Sequence, residues 1–284
     1  MFKGTINVNG RLLDLSTPRV MGILNLTPDS FFADSRQQTE EQVGNRVRQM
    51  LAEGADIIDV GAYSTRPGAA EVTADEEKAR LRRGLAVLRQ EAPDAIVSVD
   101  TFRAEVARMC VEEFGVAIIN DISGGDLDGD MFETVARARV PYIITHMQGT
   151  PRTMQQSPHY DNLLKEVILS FASKVERLHQ LKVNDVILDP GFGFGKTVDH
   201  NFELMARLDE FGIFELPILV GVSRKSMIYR TLGITPEEAL NGTSVLHAIA
   251  LSKGANILRV HDVKEAVEAI KLYQRVNSFE QTYN

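Results

Sequence analysis

The sequence predicts an α/β fold, a TIM (β/α)8 barrel with a short N-terminal β-hairpin. Three observations carry this reading. Eight short apolar runs recur along the chain, and a helix-type pattern follows each of them. The chain has 284 residues, and eight such units filling about 260 residues match the usual size of this barrel. The apolar runs end in polar residues, as barrel strands do where they open onto a ligand. A doubly wound open sheet is the alternative, but its Gly-rich dinucleotide fingerprint is absent after the first run.

The hairpin occupies residues 1–15, two alternating pieces around Asn9-Gly10, a strong two-residue turn signal. It is expected to plug one end of the barrel. The strand-like runs are 19–24, 56–60, 95–99, 116–120, 140–145, 185–188, 216–220 and 256–260. Helix starts are marked by Thr39 with Gln42, Thr73 with Glu76, and Thr235 with Glu238. The last has Pro236 at its expected first helical position. A helix over 162–181 carries Leu164, Ile168, Phe171, Val175 and Leu178 on one face. With no low-complexity segment or Pro/Ser-rich linker, 1–284 reads as one domain.

Composition narrows the function. The chain is 44% hydrophobic and 25% charged, a globular profile, and its net charge of -8 disfavours non-specific nucleic-acid binding. The lone Cys110 excludes an intrachain disulfide framework. It shares helical spacing with Val106, Ala107 and Phe114, so a buried structural thiol is expected. Neither a signal peptide nor an apolar run long enough to cross a bilayer is visible, so the expected location is the cytoplasm.

The organising stretch is ILDPGFGFGK at 187–196. An apolar run ends in Asp189, and Pro190 stops the strand. Alternating glycines and phenylalanines then form a loop able to turn sharply and approach a ligand closely. The other runs end in a comparable set. Asn25 follows the first, and its amide oxygen suits a hard cation. Asp59 follows the second and faces either ligand or a structural partner. Beyond it lie Thr65, Arg66 and Pro67, where an arginine can fork onto a carboxylate or phosphate. Asp100, Asn120 and His146 end the third, fourth and fifth runs. Ser223, Arg224 and Lys225 follow the seventh, and Arg259 and His261 end the eighth.

Asp100, Asn120, Asp189 and Lys225 suit a flat polar heterocycle with an amidine-like edge, because a carboxylate accepts two parallel N–H bonds. Asn25, Arg259 and His261 come from the first and last strands, which are neighbours in a closed barrel, and read as a phosphate site. Other chemistries fit poorly. The six histidines lack zinc-type spacing, and no nucleophile elbow or Walker loop occurs. A Schiff-base role for Lys225 is disfavoured by its polar neighbours.

The stretches MGILNLTPDSF (21–31), DVGAYSTRPG (59–68), SVDT (98–101), INDISGG (119–125), HMQGTP (146–151), DPGFGFGK (189–196), GVSRKSMI (221–228) and RVHDV (259–263) closely resemble the dihydropteroate synthases of the pterin-binding family. They follow the family order across nearly the whole chain. One departure is Ala62-Tyr63, where the family often has Gly-Glu.

The resemblance implies a cytoplasmic homodimer that condenses (7,8-dihydropterin-6-yl)methyl diphosphate with 4-aminobenzoate. Asp100, Asn120, Asp189 and Lys225 would bind the pterin. Asn25 would ligate Mg2+, and Thr65, Arg259 and His261 would hold the diphosphate. Arg66, Pro67, Phe192, Ser223 and Lys225 would shape the aminobenzoate site, where sulfonamides would compete. Lys225, Asp100 and Arg66 are the expected catalytic residues. A pterin-dependent methyltransferase and a non-catalytic pterin-binding paralogue are the alternatives. The first would not need the diphosphate set, and the second would be expected to have lost part of it. The loops 27–36 and 61–71 are long for βα connections of about 2–6 residues. Both carry ligand-suited groups, so aminobenzoate is expected to bind after the pterin diphosphate.

Overall fold

The computed structural model describes residues 2–26, 36–63 and 71–283, with side chains outside 36–39 and 280–283. The hairpin forms as expected, β1 (Thr5–Val8) pairing antiparallel with β2 (Arg11–Asp14). Asn9 and Gly10 both take positive φ, 53° and 80°, the backbone that a two-residue turn matching strand twist requires.

Eight parallel strands follow: β3 (Arg19–Asn25), β4 (Ile57–Gly61), β5 (Ile96–Asp100), β6 (Ile118–Asp121), β7 (Tyr142–Thr145), β8 (Val186–Asp189), β9 (Leu219–Val220) and β10 (Ile257–Val260). Their order is β8-β7-β6-β5-β4-β3-β10-β9. A parallel bridge between Leu188 and Ile218 joins the two ends. That closure makes the sheet a barrel and excludes the open alternative.

Helices surround the sheet: α1 (Arg36–Glu53), α2 (Ala74–Glu91), α3 (Ala104–Phe114), α4 (Met131–Ala138), α5 (Leu163–Gln180), α6 (Val198–Ala206), α7 (Ser226–Leu232), α8 (Leu240–Ser252) and α9 (Val263–Tyr283). The expected start at Thr73 holds, its side chain accepting from the Glu76 backbone N–H at 3.2 Å. Two other starts are displaced. α1 begins at Arg36, three residues before Thr39; Arg36, Gln37 and Gln38 are adequate helix formers. Glu238 reaches back to the Thr235 N–H at 2.9 Å, but residues 236–239 form a turn and α8 begins at Leu240. The helix expected over 162–181 is α5, capped by Asn162. Cys110 is buried in α3, and that burial raises its thiol pKa.

Strand alternation builds the interior in tiers. Met21, Ile57, Ala117, Ile118, Ile143, Ile187, Leu219 and Ile257 form an apolar floor with Ile6, Val8, Leu13 and Leu15 of the hairpin segment. The hairpin therefore plugs the end where the strands begin. Residues two further along point the same way, because strand side chains alternate faces. That tier holds Asp59, Asn120, Thr145, Asp189, Gly221 and Arg259. The intervening Ile58, Ile119, Ile144, Leu188, Val220 and Leu258 pack outward in the larger core.

Candidate active site

The polar tier is a connected network. Asp59 is fully buried and accepts from Arg259 Nε at 2.7 Å and from Asn120 Nδ2 at 3.0 Å. Arg259 Nη2 donates to Asp100 Oδ2 at 2.7 Å. The guanidinium thus bridges two carboxylates from β4 and β5. Asp59, whose role the sequence left open, is here a structural partner of two candidate ligand groups. Burial works against the Arg259 charge, but Asp59 and Asp100 outweigh it and hold its pKa above the usual value. Burial pushes Asp100 up to about 7, against the pull of Arg259 and with a further push from Asp59. Asp59 Oδ1, Asn120 Oδ1 and Ser98 Oγ are buried with no hydrogen-bond partner among the described residues. Orphaned buried acceptors are costly and mark where a donor-rich ligand would fit.

Asp189 lies across the mouth. Its Oδ1 accepts from the Gly191 N–H at 2.8 Å, and Thr145 Oγ1 stands 3.5 Å from Oδ2. Burial raises its pKa; Lys225, the Gly191 N–H, Arg259 and Lys196 oppose the rise. Lys225 Nζ donates to the Phe192 carbonyl and sits 4.8 Å from the Phe194 ring centre. Burial pulls its pKa down to about 8.

The glycines of the 189–196 loop serve protein packing more than ligand approach. Gly191, Gly193 and Gly195 all have positive φ. A Cβ on Gly191 would lie 2.0 Å from the His146 carbonyl oxygen, and one on Gly195 2.6 Å from that of Gln148. The loop is pressed against the β7 end, and only glycine allows it. Phe192 is wholly in the core; its carbonyl, through Lys225, is what meets the site. Phe194 faces the lysine instead, and the sequence reading missed it.

On the opposite side, Asn25 Oδ1 and Asp100 Oδ2 both lie 3.8 Å from where a Cβ on Gly61 would stand. The Asn25 amide oxygen and the carboxylate thus flank the same glycine. Ser223 Oγ accepts from the His261 N–H at 3.2 Å and lies 3.2 Å from its Nδ1. Arg224, between Ser223 and Lys225, forks onto Asp262 at 2.8 and 2.9 Å. That pair fastens the β9 end to the β10 end. Asp121 is structural: it accepts from Ser123, Gly125 and the Tyr142 hydroxyl. Thr65, Arg66 and Pro67 lie outside the described residues, as do the rest of 64–70 in the second loop and 27–35 in the first.

The model of the pterin binding enzyme family matches residues 21–261. The dihydropteroate synthase of Escherichia coli K12 is 45% identical over 93% of this chain and 94% of its own length. That of Haemophilus influenzae is 40% identical over 94% and 96%. This chain belongs to the dihydropteroate synthases. As a member of that family it is a transferase acting on small molecules. The Yersinia pestis enzyme, solved in complex with a sulfonamide drug, superposes with a TM-score of 0.88 at 42% identity, covering 96% of this chain and 99% of that one. The Xanthomonas albilineans enzyme, solved with 4-aminobenzoic acid, superposes at 0.87 and 35% identity, covering 97% and 98%. No described helix is long and apolar enough to cross a membrane.

Proposed function

We propose that this chain joins (7,8-dihydropterin-6-yl)methyl diphosphate to 4-aminobenzoate, releasing diphosphate and 7,8-dihydropteroate, with Asp100, Asn120, Asp189 and Lys225 holding the pterin. The observation that carries the reading is the buried ring of acceptors: Asp189 on one side, Asp100 and the unpaired Asn120 oxygen on the other. A pterin offers several N–H donors on one flat edge, and buried acceptors of this number would be costly without them. Lys225 supplies the donor for the ring's own acceptors.

The chemistry asks little of the protein beyond charge and position. The methylene beside an electron-rich pterin can leave its diphosphate as a delocalised cation. No covalent nucleophile or strong base is needed, and the Ser223 hydroxyl beside the His261 ring is assigned to holding substrates. His261 and Arg259, with Thr65, would take the charge of the leaving diphosphate. Arg66, Pro67, Ser223, Lys225 and the backbone at Phe192 would hold the aminobenzoate with its amine aimed at the methylene. Sulfonamides would compete there.

Asn25 is the protein donor proposed for Mg2+. No group of three or more His, Cys, Asp or Glu able to hold a metal occurs among the described residues. One amide oxygen still fits magnesium, which keeps most of its waters and leans on substrate phosphates. When bound, the ion would supply charge to the diphosphate. We further propose a cytoplasmic homodimer, each chain one pterin-binding domain over 1–284. Val245 and Ile249 of α8, with Leu272, Val276 and Phe279 of α9, are exposed apolar side chains on two packed helices. A second copy would cover them.

Calorimetry with a 6-hydroxymethyl dihydropterin tests the heterocycle site. Asp189→Ala should bind more weakly by about 2 kcal/mol or more. Unchanged affinity in a folded variant would remove Asp189 from the site.

A further inference from the structure

Lys196 closes the Gly/Phe loop and is absent from the ligand set argued above, yet it is 3% exposed. Four acceptors surround its Nζ: the His146 carbonyl at 3.1 Å, His146 Nδ1 at 3.0 Å, the Gly191 carbonyl at 3.1 Å and the Phe194 carbonyl at 3.0 Å. An ammonium has three N–H donors and no acceptor, so this shell is built for the charged form. The His146 ring accepts at Nδ1 and carries its proton on Nε2. Burial, with Lys196 and Lys174 nearby, holds that ring neutral, its pKa down at about 2.

Two of these acceptors lie in the 189–196 loop and two on His146 at the β7 end, so one side chain ties both loops together. The tie passes directly to the site. Gly191 gives its carbonyl to Lys196 and its N–H to Asp189 Oδ1. Asn201, also buried, holds the outer side of the loop by accepting from the Gly193 N–H at 2.7 Å.

We propose that Lys196 is a positioning residue for the pterin site: it fixes the loop that orients Asp189 and supplies buried positive charge that keeps this carboxylate ionised. The proposal rests on Asp189 being the pterin acceptor. Charged groups facing Asp189 are Lys225 from the β9 end, Arg259 from β10 and Lys196. Those facing Lys196 are Asp189 and Lys225. Arg259 is already shared between Asp59 and Asp100, and Lys225 is spent on Phe192 and the ligand. Lys225 and Arg259 act on Asp189 more strongly, but Lys196 bonds the carbonyl of Gly191, the residue whose N–H Asp189 accepts. Burial pulls its own pKa down to about 7, with Asp189 pulling the other way.

The sign follows from the charge. Removing a cation near a carboxylate raises the carboxylate pKa. Without Lys196, Asp189 should then stay protonated to higher pH. The test is calorimetric titration of a 6-hydroxymethyl dihydropterin from pH 4 to 9 into the full chain, with the Asp189 carboxyl carbon followed by NMR so that its midpoint is told apart from that of Asp100. The proteins compared are wild type, Lys196→Met, Lys196→Gln and Lys196→Arg, with folding checked by circular dichroism. The Asp189 midpoint should move up in the Met and Gln variants and return toward wild type in Lys196→Arg. A purely structural role would weaken binding at every pH and leave the Asp189 midpoint in place; that result overturns the proposal. Failure of both neutral variants to fold would make Lys196 a folding residue and overturn it too. Absence of pterin binding by the wild type would instead reject the function proposed above.

Discussion

Asp59→Ala is the perturbation that probes the polar tier most sharply. The carboxylate is fully buried and accepts from Arg259 Nε at 2.7 Å and Asn120 Nδ2 at 3.0 Å. Its removal leaves Arg259 with Asp100 as its carboxylate partner, and leaves the Asn120 N–H without its acceptor. Breaking a buried ion pair from one side costs about 3–5 kcal/mol. The Arg259 side chain is 19% exposed, so water can reach part of it, and the lower end, about 3 kcal/mol, applies. The stranded Asn120 donor adds roughly 1 kcal/mol. Asp59→Asn keeps an acceptor oxygen and should lose only about half as much, since one uncharged hydrogen bond is worth about 1 kcal/mol. Asp59 also pushes Asp100 upward, so its loss should lower the Asp100 pKa from about 7. Urea denaturation of both variants and NMR titration of the Asp100 carboxyl carbon read the two effects. A loss under about 1 kcal/mol in Asp59→Ala, or an Asp100 midpoint that stays or rises, would refute the reasoning.

Gly191→Ala places a Cβ 2.0 Å from the His146 carbonyl at φ +74°; it should cost at least about 2 kcal/mol, read by thermal or urea unfolding, whereas Gly233→Ala, with no atom within 4 Å, should cost less. Asp100 at about 7 lies far above an unfolded aspartate near 3.9. Its stabilising contribution should be full below about pH 4 and lost as pH rises through 7, and pterin binding, which favours the ionised form, should release a proton at pH 6. Calorimetry in two buffers of different ionisation enthalpy checks this, and equal heats would contradict it. Leu272→Glu with Val276→Glu on α9 should convert a dimer to monomers in sedimentation velocity, with the barrel's circular dichroism unchanged.

Much of the site was legible because a strand has a period of two. An apolar run ending in a polar residue fixes which side chain points inward, and Asp100, Asn120, Asp189 and Arg259 all follow from that parity. Partners across the barrel do not follow, because they depend on which strands face one another at the same height. Asp59 was therefore ambiguous until Arg259 and Asn120 were seen beside it. Lys196 was read only as the end of a motif, since its role needs His146 from fifty residues away. Phe192 and Phe194 are equivalent in composition, and only the loop's turns decide that the first ring enters the core. Helix starts failed where local signals competed: Glu238 does reach Thr235, yet the chain spends residues 236–239 on a turn.

The central claim is that one buried acceptor ring at the barrel mouth holds a pterin while diphosphate leaves toward His261 and the aminobenzoate amine attacks. Incubating the chain with (7,8-dihydropterin-6-yl)methyl diphosphate, 4-aminobenzoate and Mg2+ tests it directly, with dihydropteroate and diphosphate measured in the same sample. The account predicts the two products in equal amounts, formation that stops in Asp189→Ala, and inhibition by a sulfonamide competitive with aminobenzoate. Diphosphate released without dihydropteroate, or no product from a folded wild type, would contradict it.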